Sequence, residues 1–71
     1  DDVEGQTAVT NSVLKSGQLG EVEMRGSTWK AFNKSSQTFQ RGEPVLVTGR
    51  KGLTLVVGSL LDAEKANSVN R

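Results

Sequence analysis

The chain has 71 residues and a formal net charge of +1, which is enough for one small domain with a single core. It contains no cysteine and no histidine, which excludes disulfides, zinc ribbons and imidazole catalysis from its own side chains. Nine basic residues balance eight acidic ones, unlike the basic surface of a typical nucleic-acid-binding domain. No apolar run approaches the ~18–20 residues of a transmembrane helix. The chain opens on Asp1 without a signal-like segment, so we expect either a soluble piece of a longer protein or a processed N-terminus.

The N-terminal half predicts one long strand followed by a hairpin. Residues 1–4 are acidic and are expected to be frayed. Residues 6–14 are rich in strand-forming side chains, and Asn11 and Ser12 interrupt them where a bulge or bend is expected. Residues 20–25 and 28–33 alternate apolar and polar side chains across a short glycine-containing turn, which is typical of two paired antiparallel strands.

A second hairpin occupies the middle of the chain. Residues 44–49 and 53–58 again alternate, and the basic link 49–52 carries a glycine at each end, so it predicts the turn. The polar segment 34–41 between the hairpins is too short and too rich in serine and threonine for a helix. We predict a loop there, with Phe39 capping one end of the domain.

One long strand and two hairpins predict an all-β fold, a five-stranded OB-like closed barrel over residues 1–58. Closing the barrel removes the exposed edges that a small open sheet would leave. Residues 59–71 are predicted to form a flexible tail or a short helical turn. The residues whose alternation points them into the predicted core are Val22, Trp29, Ala31, Val45, Val47, Leu55 and Val57.

Three apolar residues fall on the opposite, outward side of the same alternation. They are Phe32, Leu46 and Val56, and Leu53 is expected at the mouth of the second hairpin. A cluster of exposed apolar side chains would mark a surface for a protein partner. The alternative is that the N-terminal strand or the Leu60-Leu61 pair covers them, and both interpretations stay open.

Two features could serve nucleic acid but have simpler explanations. Trp29 could stack a base, yet its alternation with a small alanine favours a core position, and a single aromatic is not a stacking platform. Basic residues could bind phosphates or anionic lipid, but the acidic residues that balance them favour an ordinary solvated surface. These basic residues are Arg25, Lys30, Lys34, Arg41, Arg50 and Lys51.

The sequence gives no support for an enzyme. Glu21 and Glu23 share a strand face, where pairing with Lys30 across the hairpin is favoured over acid–base work. A serine–lysine dyad would need a positioned base, and no nucleophile motif surrounds any serine. The serines considered for it are Ser16, Ser27, Ser35 and Ser36. We therefore expect a non-catalytic domain without a cofactor or metal.

The stretch from Gly20 to Val57 resembles the C-terminal soluble domain of the NfeD family. The residues that match the family pattern are Gly20, Val22, Gly26, Trp29, Ala31, Gly42, Val45, Val47, Gly52, Leu55 and Val57. Upstream, Gly5, Ala8 and Thr10 fit the family's first strand. The segment 14–17 departs from the family, because many members have a proline there.

The resemblance implies an OB-like barrel that follows the transmembrane helices of a parent protein in the cell membrane, with this domain on the cytoplasmic side. It also implies a stomatin, prohibitin or flotillin relative as the partner, with which the domain would assist assembly and membrane integrity as an interaction module. Longer members carry a serine protease domain, to which nothing in this chain corresponds. The alternative function is an OB-fold module that binds single-stranded nucleic acid or oligosaccharide, which would need a basic groove and exposed aromatics on the second and third strands.

Overall fold

The computed structural model describes residues 3–60 and shows a closed five-stranded barrel. The strands are β1 (Thr7–Thr10), β2 (Leu19–Met24), β3 (Ser27–Asn33), β4 (Pro44–Lys51) and β5 (Thr54–Gly58). They follow one another around the barrel in the order β1-β2-β3-β5-β4. The predicted all-β, OB-like closed barrel is confirmed. Across residues 3–60, no helix is both long and apolar enough to cross a bilayer.

Two hairpins and a short first strand build the barrel. β2 pairs with β3, and β4 pairs with β5, both antiparallel. β1 joins the hairpins, because Thr10 pairs with Val22 of β2 and Ala8 pairs with Val45 of β4. The barrel closes on its other side through the parallel pairing of β3 with β5. Each strand therefore has two neighbours, and no strand edge is left open.

The first strand is shorter than predicted. The sequence predicts it over residues 6–14, whereas β1 ends at Thr10. The chain bends at Asn11 and Ser12, which are residues that favour turns over an extended ladder. Leu14 then returns to form an isolated bridge with Phe39 of the β3–β4 loop. The bend expected at Asn11 and Ser12 is present, but the predicted end of the strand at residue 14 was wrong, because the bend redirects the chain across the barrel end.

The turn of the second hairpin is also displaced from its predicted place at residues 49–52. β4 continues to Lys51, with a register shift between Val47 and Gly49. The connection consists of Gly52 and Leu53, since Lys51 pairs directly with Thr54. Gly52 has a φ of 61°, whereas Leu53 is not among the described residues with positive φ, a pattern typical of a type II′ turn. This turn type matches the twist of the two strands.

The interior of the barrel is filled by side chains from every strand. Six of the predicted core residues are buried: Val22, Ala31, Val45, Val47, Leu55 and Val57. Trp29 is half-buried and packs against them. Leu14 and Phe39 are also buried, so the two long loops contribute the plug at one end of the barrel. A small barrel filled in this way leaves no interior space for a ligand.

The N-terminal segment belongs to the core. Val3 is only 3% exposed, so the expectation that residues 1–4 are frayed was wrong at this position. The Gly5 amide donates to the carbonyl of Val47, and the Val47 amide donates to the carbonyl of Gln6. These bonds extend the β1–β4 pairing towards the N-terminus. Of the predicted tail at 59–71, only Ser59 and Leu60 lie within the described residues, and Ser59 is buried.

Candidate partner-binding surface

Phe32 and Val56 stand side by side on the outer surface of the barrel. Strands β3 and β5 run parallel, and their register pairs these two residues directly. Both side chains are half-buried and, with Lys51 and Thr54, they line an apolar depression of about 340 Å³. The depression lies on the outer wall, because the neighbouring residues Ala31 and Leu55 point into the core.

Leu19 extends this apolar surface onto a third strand. It pairs with Phe32 across β2 and β3, and its side chain is 61% exposed. Leu19, Phe32 and Val56 therefore form one transverse line across β2, β3 and β5, which we call the apolar row. Leu19 lies outside the strand predicted at residues 20–25, because residues 15–19 are turn-like in sequence. The available signal was its position two residues before Glu21, which places an apolar side chain on the otherwise polar outward face.

Leu46 lies away from the apolar row. It pairs with Gly58 of β5 and with Thr7 of β1, so it lies one step further along the outer face. At Gly58, the nearest side-chain atoms to an added β-carbon would be Cγ2 of Thr48 at 3.8 Å and Cε of Lys34 at 3.9 Å. These side chains flank the glycine next to Leu46. The structure thus brings together two of the three predicted partner residues and leaves the third at the margin.

Within residues 3–60, the segments considered as an alternative cover lie elsewhere. β1 lies between β2 and β4, so the N-terminal strand forms part of the barrel wall beside neither β3 nor β5. Leu60 lines a different depression, at the barrel end near Phe39 and Pro44. Leu61, which the sequence analysis also considered, lies outside the described residues.

Charged residues border the apolar row on one side. Glu21 pairs with Lys30, Lys30 pairs with Thr54, and Thr54 pairs with Lys51, so these residues form the adjacent transverse line. Glu21, Lys30 and Lys51 are exposed. Such an arrangement surrounds an apolar centre with a polar rim, which is the anatomy of a protein-interaction surface. Glu21 and Lys30 are directly opposed in the β2–β3 ladder, and the cross-strand pairing of their charges stays a prediction.

A buried asparagine holds the strand that carries Phe32. The Asn33 Nδ2 donates to the carbonyls of Leu14 (3.0 Å) and Gln37 (2.7 Å). Its Oδ1 accepts from the Ser35 amide (2.9 Å) and hydroxyl (2.7 Å). Every polar atom of this side chain is satisfied, and two loops are tied to the end of β3. Sequence reasoning missed Asn33, although a polar residue at an inward position of the alternation was a visible signal.

Trp29 does not offer a stacking platform. Its ring packs against the core, and its backbone pairs with Val22 inside the β2–β3 hairpin. The indole Nε1 is buried and has no hydrogen-bond partner among residues 3–60. A base-binding OB-fold needs aromatic faces open to solvent on this hairpin. The outer surface of β2 and β3 instead presents a mixture of acidic, polar, basic and aromatic side chains, namely Glu21, Glu23, Thr28, Lys30 and Phe32.

The serines considered as nucleophiles serve the loops or the surface. The Ser16 hydroxyl donates to the carbonyl of Ser35 at 2.6 Å, and the Ser35 hydroxyl donates to Asn33. Ser27 and Ser36 are exposed. Within the described part of the chain, no group of three or more acidic residues is arranged to hold a metal ion.

The family of this chain is shown by its match to a protein-family model. The sequence matches the family model described as the NfeD-like C-terminal, partner-binding domain over residues 1–58. The chain belongs to the NfeD-like family. No curated protein sequence matches it.

Solved structures show the same NfeD-like barrel. The C-terminal domain of a stomatin operon partner protein from Pyrococcus horikoshii is 32% identical with a TM-score of 0.71, over 80% of this chain and 86% of that chain. The soluble domain of a membrane protein implicated in regulation of membrane protease activity, from Corynebacterium glutamicum, is 29% identical with a TM-score of 0.73. That match covers 82% of this chain and 92% of the other.

The residues that match the NfeD pattern build the scaffold of this domain. Gly26, Gly42 and Gly52 all have positive φ and allow turns, and the matching valines are buried. None of the three residues of the apolar row belongs to that pattern. In this NfeD-like domain the scaffold and the candidate binding surface therefore use different residues.

Proposed function

We propose that this domain is a non-catalytic docking module that binds a membrane-associated partner of the stomatin, prohibitin or flotillin type. The single observation that carries the proposal is the apolar row, where Phe32 and Val56 line one depression and Leu19 lies exposed beside them. The partner-binding description of the family and the similarity to a stomatin operon partner protein support it. We also propose a membrane-anchored parent protein, with this domain on its cytoplasmic side.

Docking on the outer wall follows from the way the barrel is filled. Val22, Val45, Leu55 and their neighbours leave no exposed surface inside, so a partner has access to the outside only. Burying a phenylalanine or valine side chain at an interface contributes about 1.5–3 kcal/mol when the burial is complete. A few such residues dominate most protein interfaces. We expect Phe32 and Val56 to contribute most of the binding energy.

The charges beside the row suggest what the partner presents. Lys30 and Lys51 border the depression, so a partner segment with one apolar side chain for insertion and acidic residues nearby would be complementary. The charges would affect the association rate and the salt dependence more than the affinity. Binding should therefore be weakened only moderately by salt.

Capture from solubilised membranes of the source organism tests the proposal. The bait proteins are the wild-type chain, Phe32→Glu and Val56→Lys. The matched control is Val9→Lys, because Val9 is an exposed valine on the outer face of β1, away from the row. We expect a stomatin- or flotillin-type protein to be captured by the wild type and by Val9→Lys only. Equal capture by all four folded proteins would contradict the proposal.

A further inference from the structure

We propose that the tip of the β4–β5 hairpin, residues 50–53, contacts the surface of an anionic lipid bilayer. Its most prominent feature is Leu53, whose side chain is 83% exposed, more than any other large hydrophobic side chain in the described part of the chain. Leu53 lies in the two-residue connection between the paired residues Lys51 and Thr54. Leu53 is not part of the core cluster, so its side chain is available at the end of the hairpin.

The hairpin presents this leucine rigidly. The β4–β5 ladder continues to its last possible pair, Lys51 with Thr54, and the φ of 61° at Gly52 completes the tight turn. Leu53 is therefore held outward by paired backbone and not by a loose loop. Because the backbone of the turn is already ordered, little backbone entropy is lost when its tip enters another phase.

Two cations precede the leucine. Arg50 and Lys51 are both exposed and lie at the base of the turn. An apolar tip above basic side chains is complementary to a bilayer surface, where the leucine reaches the acyl boundary and the cations meet lipid phosphates. Lys30 is nearby through its pairing with Thr54, but Glu21 lies opposite it and offsets its charge. The proposal therefore depends on Arg50, Lys51 and Leu53.

Trp29 lies at the same end of the barrel. Trp29 and Leu53 are the residues that immediately precede Lys30 and Thr54, the first pair of the parallel β3–β5 ladder. The tryptophan ring is half-buried and packs against the core, so it is a neighbour of the proposed contact and not its anchor. As the single tryptophan of the chain, Trp29 also supplies an intrinsic fluorescence signal beside the proposed contact.

The hairpin tip and the apolar row are neighbours, since Lys51 belongs to the tip and also lines the depression at Phe32 and Val56. Contact of the tip with a bilayer would hold the row beside the membrane, within reach of a partner that resides there. The inference rests on the proposed function in one respect, namely that the parent protein works at a membrane. Lipid vesicles contain no protein partner, so lipid binding and partner binding can fail separately.

The test uses the isotope-labelled chain with vesicles of phosphatidylcholine, with and without phosphatidylserine. NMR is suitable because a single small hydrophobic anchor gives weak, reversible binding. We expect binding to the phosphatidylserine vesicles only, a blue shift of Trp29 fluorescence, and loss of binding at high salt. With a nitroxide on the lipid acyl chains, the amides of Gly52 and Leu53 should broaden first. Broadening centred on Leu19 and Phe32 would overturn the proposal.

Variants of the tip complete the test. Leu53→Ser should leave the fold intact and weaken vesicle binding about tenfold, because it removes the inserted apolar side chain. Arg50→Gln and Lys51→Gln should each weaken it about fivefold. The matched control is Val13→Ser, an exposed apolar residue of the β1–β2 loop, which should bind as the wild type does. Unchanged binding by Leu53→Ser, or equal binding to neutral vesicles, would overturn the proposal.

Discussion

A β-carbon placed on Gly20 would lie 2.6 Å from Cδ1 of Leu14. Leu14 comes from the loop after β1, is buried, and exchanges two backbone hydrogen bonds with Phe39 of the opposite loop. The missing side chain at Gly20 therefore creates the space in which the loops close one end of the barrel. Gly20 of β2 thus makes room for Leu14, which together with Phe39 closes this end of the barrel.

Gly20→Ala should destabilise the domain by about 1–3 kcal/mol, because the added methyl group overpacks the site of Leu14. Gly49→Ala is the matched control. Gly49 also lies in a strand, has open space around its would-be β-carbon and does not have positive φ. Urea unfolding followed by circular dichroism gives both free energies. Equal stability of the two variants would show that Leu14 moves aside without cost.

Asn33→Ala should destabilise the domain by about 3 kcal/mol. The substitution leaves the carbonyls of Leu14 and Gln37 and the Ser35 amide without their partner at the buried end of β3. Gln18→Ala, at an exposed position of the neighbouring loop, should change the stability by less than about 0.5 kcal/mol. Thermal unfolding measures both. A loss for Asn33→Ala no larger than that of the control would mean that water replaces the side chain.

Arg25→Asn should stabilise the domain by up to about 1 kcal/mol. Arg25 has a φ of 56° and Gly26 a φ of 76°, which is the type I′ pattern that favours asparagine followed by glycine. The variant loses the exposed hydrogen bond from Arg25 Nε to Gln6, which contributes little in water. Arg41→Asn, at an exposed loop position with ordinary φ, should have no such effect in the same unfolding experiment. A lower melting temperature for Arg25→Asn would show that the arginine contacts outweigh the strain.

Most of the fold was predictable because the strands alternate regularly. Val22 with Met24 and Val45 with Val47 mark inward faces by spacing alone, and the closed barrel follows from pairing five such strands. The end of the first strand and the turn at Gly52 were placed less well. Local residue preferences allow several positions for a turn, and the pairing partner across the sheet decides among them.

The candidate site was only partly predictable. Alternation places Phe32 and Val56 on the outside, but their adjacency depends on the parallel pairing of β3 with β5, which no local pattern indicates. The same long-range register adds Leu19 and moves Leu46 to the margin. Val3 is likewise buried next to Gly5 and Gln6, whose backbone bonds to Val47 cross more than half the chain, so a local pattern could not reveal it.

Leu19→Ser should separate binding from folding. The side chain is largely exposed, so the free energy of unfolding should change by less than about 0.5 kcal/mol. Its affinity for a stomatin- or flotillin-type partner should fall about fivefold to tenfold, because part of the apolar contact is lost. Calorimetric titration gives the affinity, and urea unfolding checks the stability. Unchanged affinity would restrict the binding surface to Phe32 and Val56.

The most direct test of the central claim is an NMR titration of the isotope-labelled domain with a purified stomatin- or flotillin-type partner. We expect the largest amide and methyl chemical-shift changes at Leu19, Phe32 and Val56. Phe32→Glu should abolish these changes, whereas Val9→Lys should not. Changes confined to the barrel end around Phe39, or saturable binding that Phe32→Glu leaves intact, would contradict the claim that the outer wall of β2, β3 and β5 is the docking surface.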